Sequence, residues 1–215
     1  MQKREHIKSE SYIEWLKSLG CILWLPFSED GDLNDRISGN NLQRASDNTG
    51  YFAWDNNNQM MYFHSPSYRN VKSYTLSNNW GSSTFPNNEF TVLSTFKRKT
   101  TSGYAVQFMV GNTYTTPIGA ALIYNGSTNL ANMGNIVHKS AYYLSPSIRK
   151  LYKDGTLYST PAAHTPFLPY EWGSYDYFVG GYSDLYSGIE YYIKDIMMFN
   201  RELTLGEIRK IQGYE

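Results

Sequence analysis

The stretch from Gly188 to Gln212, GIEYYIKDIMMFNRELTLGEIRKIQ, limits what this chain can fold into more than any other. Between Tyr191 and Phe199 aromatic, branched and methionine side chains fall at both odd and even positions. A strand lying on a wet surface alternates; one covered on both faces reads like this. A central strand is predicted. Asn200 and Arg201 break the run, and Thr204 followed three residues on by Glu207 forms a capping box. A short helix therefore starts there, with Leu205, Ile208 and Ile211 on one face, and Gly213 stops it. Asp195 is the misfit. It shares its parity with Ile193, Met197 and Phe199, and a carboxylate on an apolar face needs hydrogen bonds, a cation, or a local bulge that turns it outward.

The rest of the chain supplies partners for that strand. Ile7, Tyr12, Ile13, Leu16 and Leu19 recur at helical spacing and end at Gly20, which predicts an amphipathic helix within residues 1–20 that packs on the outside of the main domain, 21–215, or on a neighbouring domain or subunit. Cys21 to Phe27 reads as the first strand, and Ser28 to Asn41, rich in Asp, Asn and Gly, as a loop. Tyr51–Trp54 and Gln59–His64 form a hairpin across Asn56, Asn57 and Asn58. Phe90–Lys97 alternates, with Phe90, Val92, Ser94 and Phe96 on one face and polar Thr91 and Thr95 on the other; Tyr104–Val110 alternates likewise, and both are expected as half-buried strands. Asp154-Gly155 is the strongest hairpin signal, since a type I′ turn needs positive φ at both central positions. A long loop from Ala162 to Gly173 then leads to a strand at Tyr177–Gly180. The expected fold is all-β: a two-sheet antiparallel β-sandwich with a short N-terminal and a short C-terminal helix.

Three segments also carry a resemblance. The ending IKDIMMFNRELTLGEI, the opening LWLPFSEDGDLNDRISGNNL, and the hairpin KLYKDGTLYS just before YFVGGY occur in that order between Leu23 and Gln212. Together they resemble the laminin-G-like, pentraxin-type jelly rolls of the concanavalin A-like lectin and glucanase superfamily. The resemblance implies a jelly-roll sandwich, and a structural calcium bridging the N-terminal turn and the final strand. Its ligands would come from Asp30, Asp32, Asn34, Asp35 and Asp195. By spacing alone the turn begins like a calcium loop, Asp-x-Asp-x-Asn, but Asp35 stands where an EF-hand needs Gly and Asn41 where it needs a bidentate Glu. The bland alternative is a solvated turn whose Asx side chains cap their own backbone.

Charge narrows the partners: 19 basic against 19 acidic residues leaves no net field to steer the chain to nucleic acid or an anionic membrane. The one cysteine, Cys21, sits in the apolar run CILWLPF and is read as a buried core thiol. That run, the longest, is too short for a membrane helix and too far along for a secretory leader, so membrane insertion is not expected. An extracellular, cell-surface or virion location is expected all the same, by the resemblance.

The Glu-x-Asp-x-x-Glu pattern of the retaining glucanases is missing, Glu89, Glu171 and Glu190 are isolated, and His6, His64, His138 and His164 form no zinc spacing. An enzyme is not expected. Aromatics are abundant instead, with 20 Tyr, 10 Phe and 5 Trp, and several fall beside Asn, Gly, Ser or Asp. A sugar offers a C–H face to a flat ring and hydroxyls to amides and carboxylates. Trp80, Trp172, Tyr175, Tyr182 and Asp184 are the expected ligand contacts. The expected function is a non-catalytic lectin-like module binding carbohydrate or another cell-surface ligand. The alternative is a structural or adhesion module of a surface or phage-tail assembly with a protein partner; a divergent glycosidase ranks third.

Overall fold

The computed structural model describes residues 10–29, 32–44, 51–65, 74–76, 84–87, 89–99, 108–111, 136–145, 148–162, 176–179 and 189–214. Helix α1 (Glu10–Ser18) leads into strand β1 (Cys21–Leu25), followed by β2 (Gln43–Arg44), β3 (Tyr51–Asp55), β4 (Met60–Ser65), β5 (Tyr74–Leu76), β6 (Phe90–Arg98) and β7 (Phe108–Gly111). Then come β8 (Val137–Leu144), β9 (Arg149–Lys153), β10 (Thr156–Ala162), β11 (Asp176–Val179), β12 (Ile189–Phe199) and helix α2 (Leu205–Gln212). They form an all-β sandwich. The eight-stranded sheet runs β10-β9-β8-β6-β12-β4-β3, with β1 also on β12; the four-stranded sheet runs β2-β5-β11-β7.

As its two-sided composition requires, β12 is central. Its first half pairs with β4 and its second half with β1, so that these two lie end to end along one side, while β6 lines the other. Both faces of the large sheet are covered. Leu23, Leu25, Phe63, Val92, Phe96, Ile193, Ile196 and Met198 belong to the inner core. On the outer face Trp24, Leu93, Met197 and Phe199 form a second core under the two helices, with Leu16 of α1 and Ile208 of α2 fully buried.

That second core corrects two expectations. β6 is not half-buried, because Thr91, Leu93 and Thr95 lie under the helices on the supposedly wet face. Thr91 Oγ1 donates to the Arg201 carbonyl (2.7 Å) and accepts from Leu203 N–H (3.2 Å), which makes a buried threonine tolerable. On α2, Leu205 is 41% exposed rather than packed. The apolar contact it was expected to make is made two residues earlier by Leu203, which precedes the N-cap and joins Ile208 in the outer core as a hydrophobic staple.

The start of the first helix at Ile7, the first half of the Tyr104–Val110 strand and nearly all of the Ala162–Gly173 loop lie outside the described residues; the capping box and the Asp-Gly turn hold. Thr204 and Glu207 make the reciprocal capping box, and Gly213 ends α2 in the left-handed conformation. Asp154 and Gly155 both have positive φ, 49° and 76°. Asp154 is fixed from several sides: Lys139 N–H donates to Oδ1 (2.9 Å), His138 Nδ1 lies 2.8 Å from Oδ2, and the Tyr214 ring sits over Gly155. Cys21 is buried, as read, and burial pushes its thiol far up.

α1 is tied to the end of β12 at Gly20. Asn200 N–H donates to the Gly20 carbonyl (3.0 Å), Arg201 Nε to the Leu19 carbonyl (2.8 Å), and Gly20 has φ +82°. A Cβ there would stand 2.5 Å from Asn200 Oδ1. Gly20→Ala is expected to lower the unfolding free energy by about 1–3 kcal/mol, as a strained left-handed residue would; a urea midpoint equal to wild type would refute this close approach.

Candidate functional site

The five expected ligand contacts, Trp80, Trp172, Tyr175, Tyr182 and Asp184, lie outside the described residues, as does Asp30 of the acidic turn. The rest of the turn is well defined. Asp35 is buried and accepts from Trp24 N–H and Ile37 N–H at Oδ1 (both 2.9 Å) and from Ser38 N–H and hydroxyl at Oδ2. Asp32 accepts from the Ser28 hydroxyl (2.5 Å) and pairs with Arg36 Nη2, 2.9 Å from each oxygen. Burial alone would push the Asp32 carboxyl up, but the Ser28 hydrogen bonds and the Arg36 charge hold it below the ordinary value. Asn34 forms an isolated antiparallel bridge with Asn41. These carboxylates are committed to protein donors that tie the turn to β1. Asp195 binds elsewhere, to Thr95, and among the described residues no group of three or more His, Cys, Asp or Glu side chains converges as a metal would need.

Asp195 marks the site the described residues do form. Ile193 faces Phe96 across β6, yet Asp195 faces Thr95, so β12 carries one extra residue, Lys194, in a β-bulge. The bulge separates Asp195 from Ile193 and puts it on the outer face with Met197. There Thr95 N–H donates to Oδ1 (2.9 Å). Burial pushes the Asp195 carboxyl up, against the Thr95 hydrogen bonds and the charges of Lys194 and Lys139.

Asp195 lies in a cleft of about 310 Å³ between the two helices, at the small end of ligand-binding cavities. Tyr12 of α1 forms one wall, edge-on to Trp24 with ring centroids 5.4 Å apart. Leu93, Met197, Pro26 and Ile211 supply apolar lining; Lys139, Lys194 and Gln212 supply polar groups. Burial, with Asp195 close by, pushes the Tyr12 hydroxyl up to about 12.

Two lining residues are incomplete. Trp24 is 2% exposed and its indole N–H has no hydrogen-bond partner among the described residues; Gln212 is 8% exposed, donates from Nε2 to the Ser140 carbonyl (3.0 Å), and its Oε1 has no partner among the described residues. A buried donor and a buried acceptor left open cost about 1–3 kcal/mol each, and such groups are commonly kept for a ligand or ordered water. Sequence reading missed Tyr12, Trp24, Lys139 and Gln212. Only the anomaly at Asp195 pointed here.

No family model and no curated protein sequence matches this chain. Solved structures match in fold. Trypanosoma rangeli sialidase aligns over 89% of this chain and 32% of its own, at 16% identity and TM-score 0.58. The receptor binding domain of botulinum neurotoxin type G aligns over 91% and 51%, at 13% identity and TM-score 0.55. Domain 4 of AbnA, a GH43 extracellular arabinanase from Geobacillus stearothermophilus solved with arabinotriose, aligns over 89% and 97%, at 12% identity and TM-score 0.57. The chain thus spans about a third of the sialidase and about half of the neurotoxin domain. At such identities the likeness shows the fold alone, an all-β sandwich.

Two carboxyls should respond oppositely to acid. Arg201 holds Glu207 down at about 2 from its ordinary 4.5, so the stability it contributes is present above 4.5 and lost as pH falls toward 2. Glu207→Gln should melt below wild type at pH 7 and level with it near pH 2. Asp195 is raised above its ordinary 3.8, so its contribution is present below 3.8 and lost as pH rises through the folded value. Asp195→Asn should therefore match wild type in strong acid and melt higher at neutral pH; a lower neutral melt would contradict the assigned environment. In the turn, Asp32 and Asp35 already have donors, so melting in EDTA and in calcium is expected to coincide. A rise of several degrees with calcium would show that Asp30 completes a metal site.

Proposed function

We propose that this chain is a non-catalytic module that binds carbohydrate, or a cell-surface ligand of similar chemistry, on the outer face of its eight-stranded sheet. The observation that carries this reading is a pair of buried groups, on residues that line the cleft, with no partner among the described residues: the Trp24 indole N–H and the Gln212 amide oxygen. A hydroxyl accepts from the first and donates to the second. The C–H face of a sugar ring suits Tyr12, Leu93 and Met197 beside them. Among the described residues that line the cleft Asp195 is the one acid, whereas glycoside hydrolysis uses two opposed carboxyls; this supports binding over turnover. So do the printed roles of two fold neighbours, a receptor binding domain and a domain solved with arabinotriose.

The laminin-G-like assignment, an extracellular or virion location, and loop contacts from Trp80, Trp172, Tyr175, Tyr182 and Asp184 belong to the same proposal. A second reading, as a structural or adhesion module, is favoured by exposed apolar side chains where β8 and β10 begin, Val137 (51%), Leu157 (49%) and Tyr158 (40%).

A glycan array with tagged protein decides between them. Selective binding is expected, weakened about tenfold in Trp24→Phe, which keeps an aromatic though smaller ring and removes one neutral hydrogen bond. Silence across the array together with a multimeric mass in solution would replace this reading by the structural one.

A further inference from the structure

The outer face continues past the cleft. Along β6 the next residue of the same parity after Thr95 is Lys97, about 7 Å further on, and the same row across the sheet holds Tyr192 of β12 and Tyr62 of β4. The rings of Tyr62 and Tyr192 lie 5.2 Å apart. The Lys97 ammonium stands 5.7 Å from the Tyr192 centroid and donates to Asn58 Oδ1 (2.8 Å); the Lys99 ammonium stands 4.8 Å from the Tyr62 centroid and donates to its hydroxyl (3.2 Å). Lys194, exposed at the bulge, joins this row to the cleft, and Lys139 lines the cleft itself.

Four lysines thus share one region of a chain whose total charge is zero. Among the described residues, Asp195 lies close to Lys194 and Lys139, Asp154 accepts from the Lys139 backbone N–H (2.9 Å), and Asp55 Oδ1 caps Asn58 N–H (2.7 Å). Lys97 is fixed by an amide oxygen and an aromatic ring, both neutral, so its charge is positioned without being cancelled. A cation already ordered in this way loses less entropy when an anion arrives.

We propose that the ligand of this face is an acidic oligosaccharide, one ring in the cleft and an adjoining carboxylate or sulfate on Lys97 and Lys194. This rests on the binding-module reading and specifies its ligand class. The cleft favours a sugar over a simple carboxylate because its unpartnered N–H and C=O are matched by hydroxyls, which accept and donate at once.

The test is calorimetry with three oligosaccharides of one length, neutral, uronate-bearing and sulfated, plus a short single-stranded oligonucleotide, at low and high salt (about 0.05 and about 0.3 M). Wild type, Lys97→Gln, Lys194→Gln and Trp24→Phe are compared after checking that each melts like a folded protein. At low salt the acidic sugars are expected to bind about tenfold more tightly than the neutral one, with the gap closing at high salt. Lys97→Gln, outside the cleft, should narrow the gap and leave neutral binding alone; Lys194→Gln, on the cleft lining, should weaken the acidic sugars more than the neutral one; Trp24→Phe should weaken all three. The tighter of the two acidic sugars identifies the anion. Equal, salt-independent binding of neutral and acidic sugars overturns this proposal and leaves the binding-module reading standing; tighter binding of the oligonucleotide also overturns it. No binding to any sugar overturns both.

Discussion

Lys194 is one residue too many for the β6 register, and most of the outer face follows from it. Before the bulge Ile193 faces the inner core; after it Ile196 and Met198 do, although an unbroken strand would have put Asp195 and Met197 there. With a bulge, the same strand keeps an uninterrupted apolar inner row and releases one carboxyl to the other side. It also divides β12 between two neighbours, β4 before the bulge and β1 after it. The cleft opens at that division, where Pro26 has left the sheet and Tyr12 reaches in from α1.

How much of this could be read from the sequence depends on the range of each interaction. The capping box, the Asp-Gly turn and the two-sided β12 are written within a few residues, and each forms as its chemistry dictates. Asp195 was legible as an anomaly because parity is a local property, and both its hydrogen bond and its bulge were among the remedies such an anomaly allows. What β6 and α2 bury was not legible. Thr91 and Thr95 read as wet until two helices, distant in the chain, are laid over them, and Leu205 reads as buried until Leu203 takes that contact. The cleft is harder still, since Tyr12, Trp24, Thr95, Lys139, Asp195 and Gln212 are brought together from both ends and the middle of the chain. Six residues from six segments leave no motif.

Net charge misleads in the same way. A sum of zero describes long-range steering, which is screened within about 10 Å at ordinary ionic strength, whereas recognition acts over contact distances. Elsewhere in this fold opposite charges are spent on one another: Arg36 on Asp32, Lys150 on Glu202, Arg201 on Glu207. Each of those pairs fastens a loop or a helix end. Lys97 is instead steadied by Asn58 and Tyr192, and it is this difference in partners, invisible in the total, that sets the outer face apart.

The walls of the cleft are the two ends of the fold, and ends are ordinarily where local unfolding begins. Here they are fastened to each other through one side chain. Arg201 holds the Leu19 carbonyl at the end of α1 and the Glu207 carboxylate (2.7 Å) in the first turn of α2, while Lys210 sits 5.3 Å from the Trp15 ring centroid. Release of either helix would expose Trp24 and Leu93 and remove a wall. A ligand that bridges Tyr12, Trp24 and Gln212 binds only the state with both helices down, and by mass action it must stabilise that state. Occupancy of the cleft and docking of the two terminal helices are therefore one linked equilibrium.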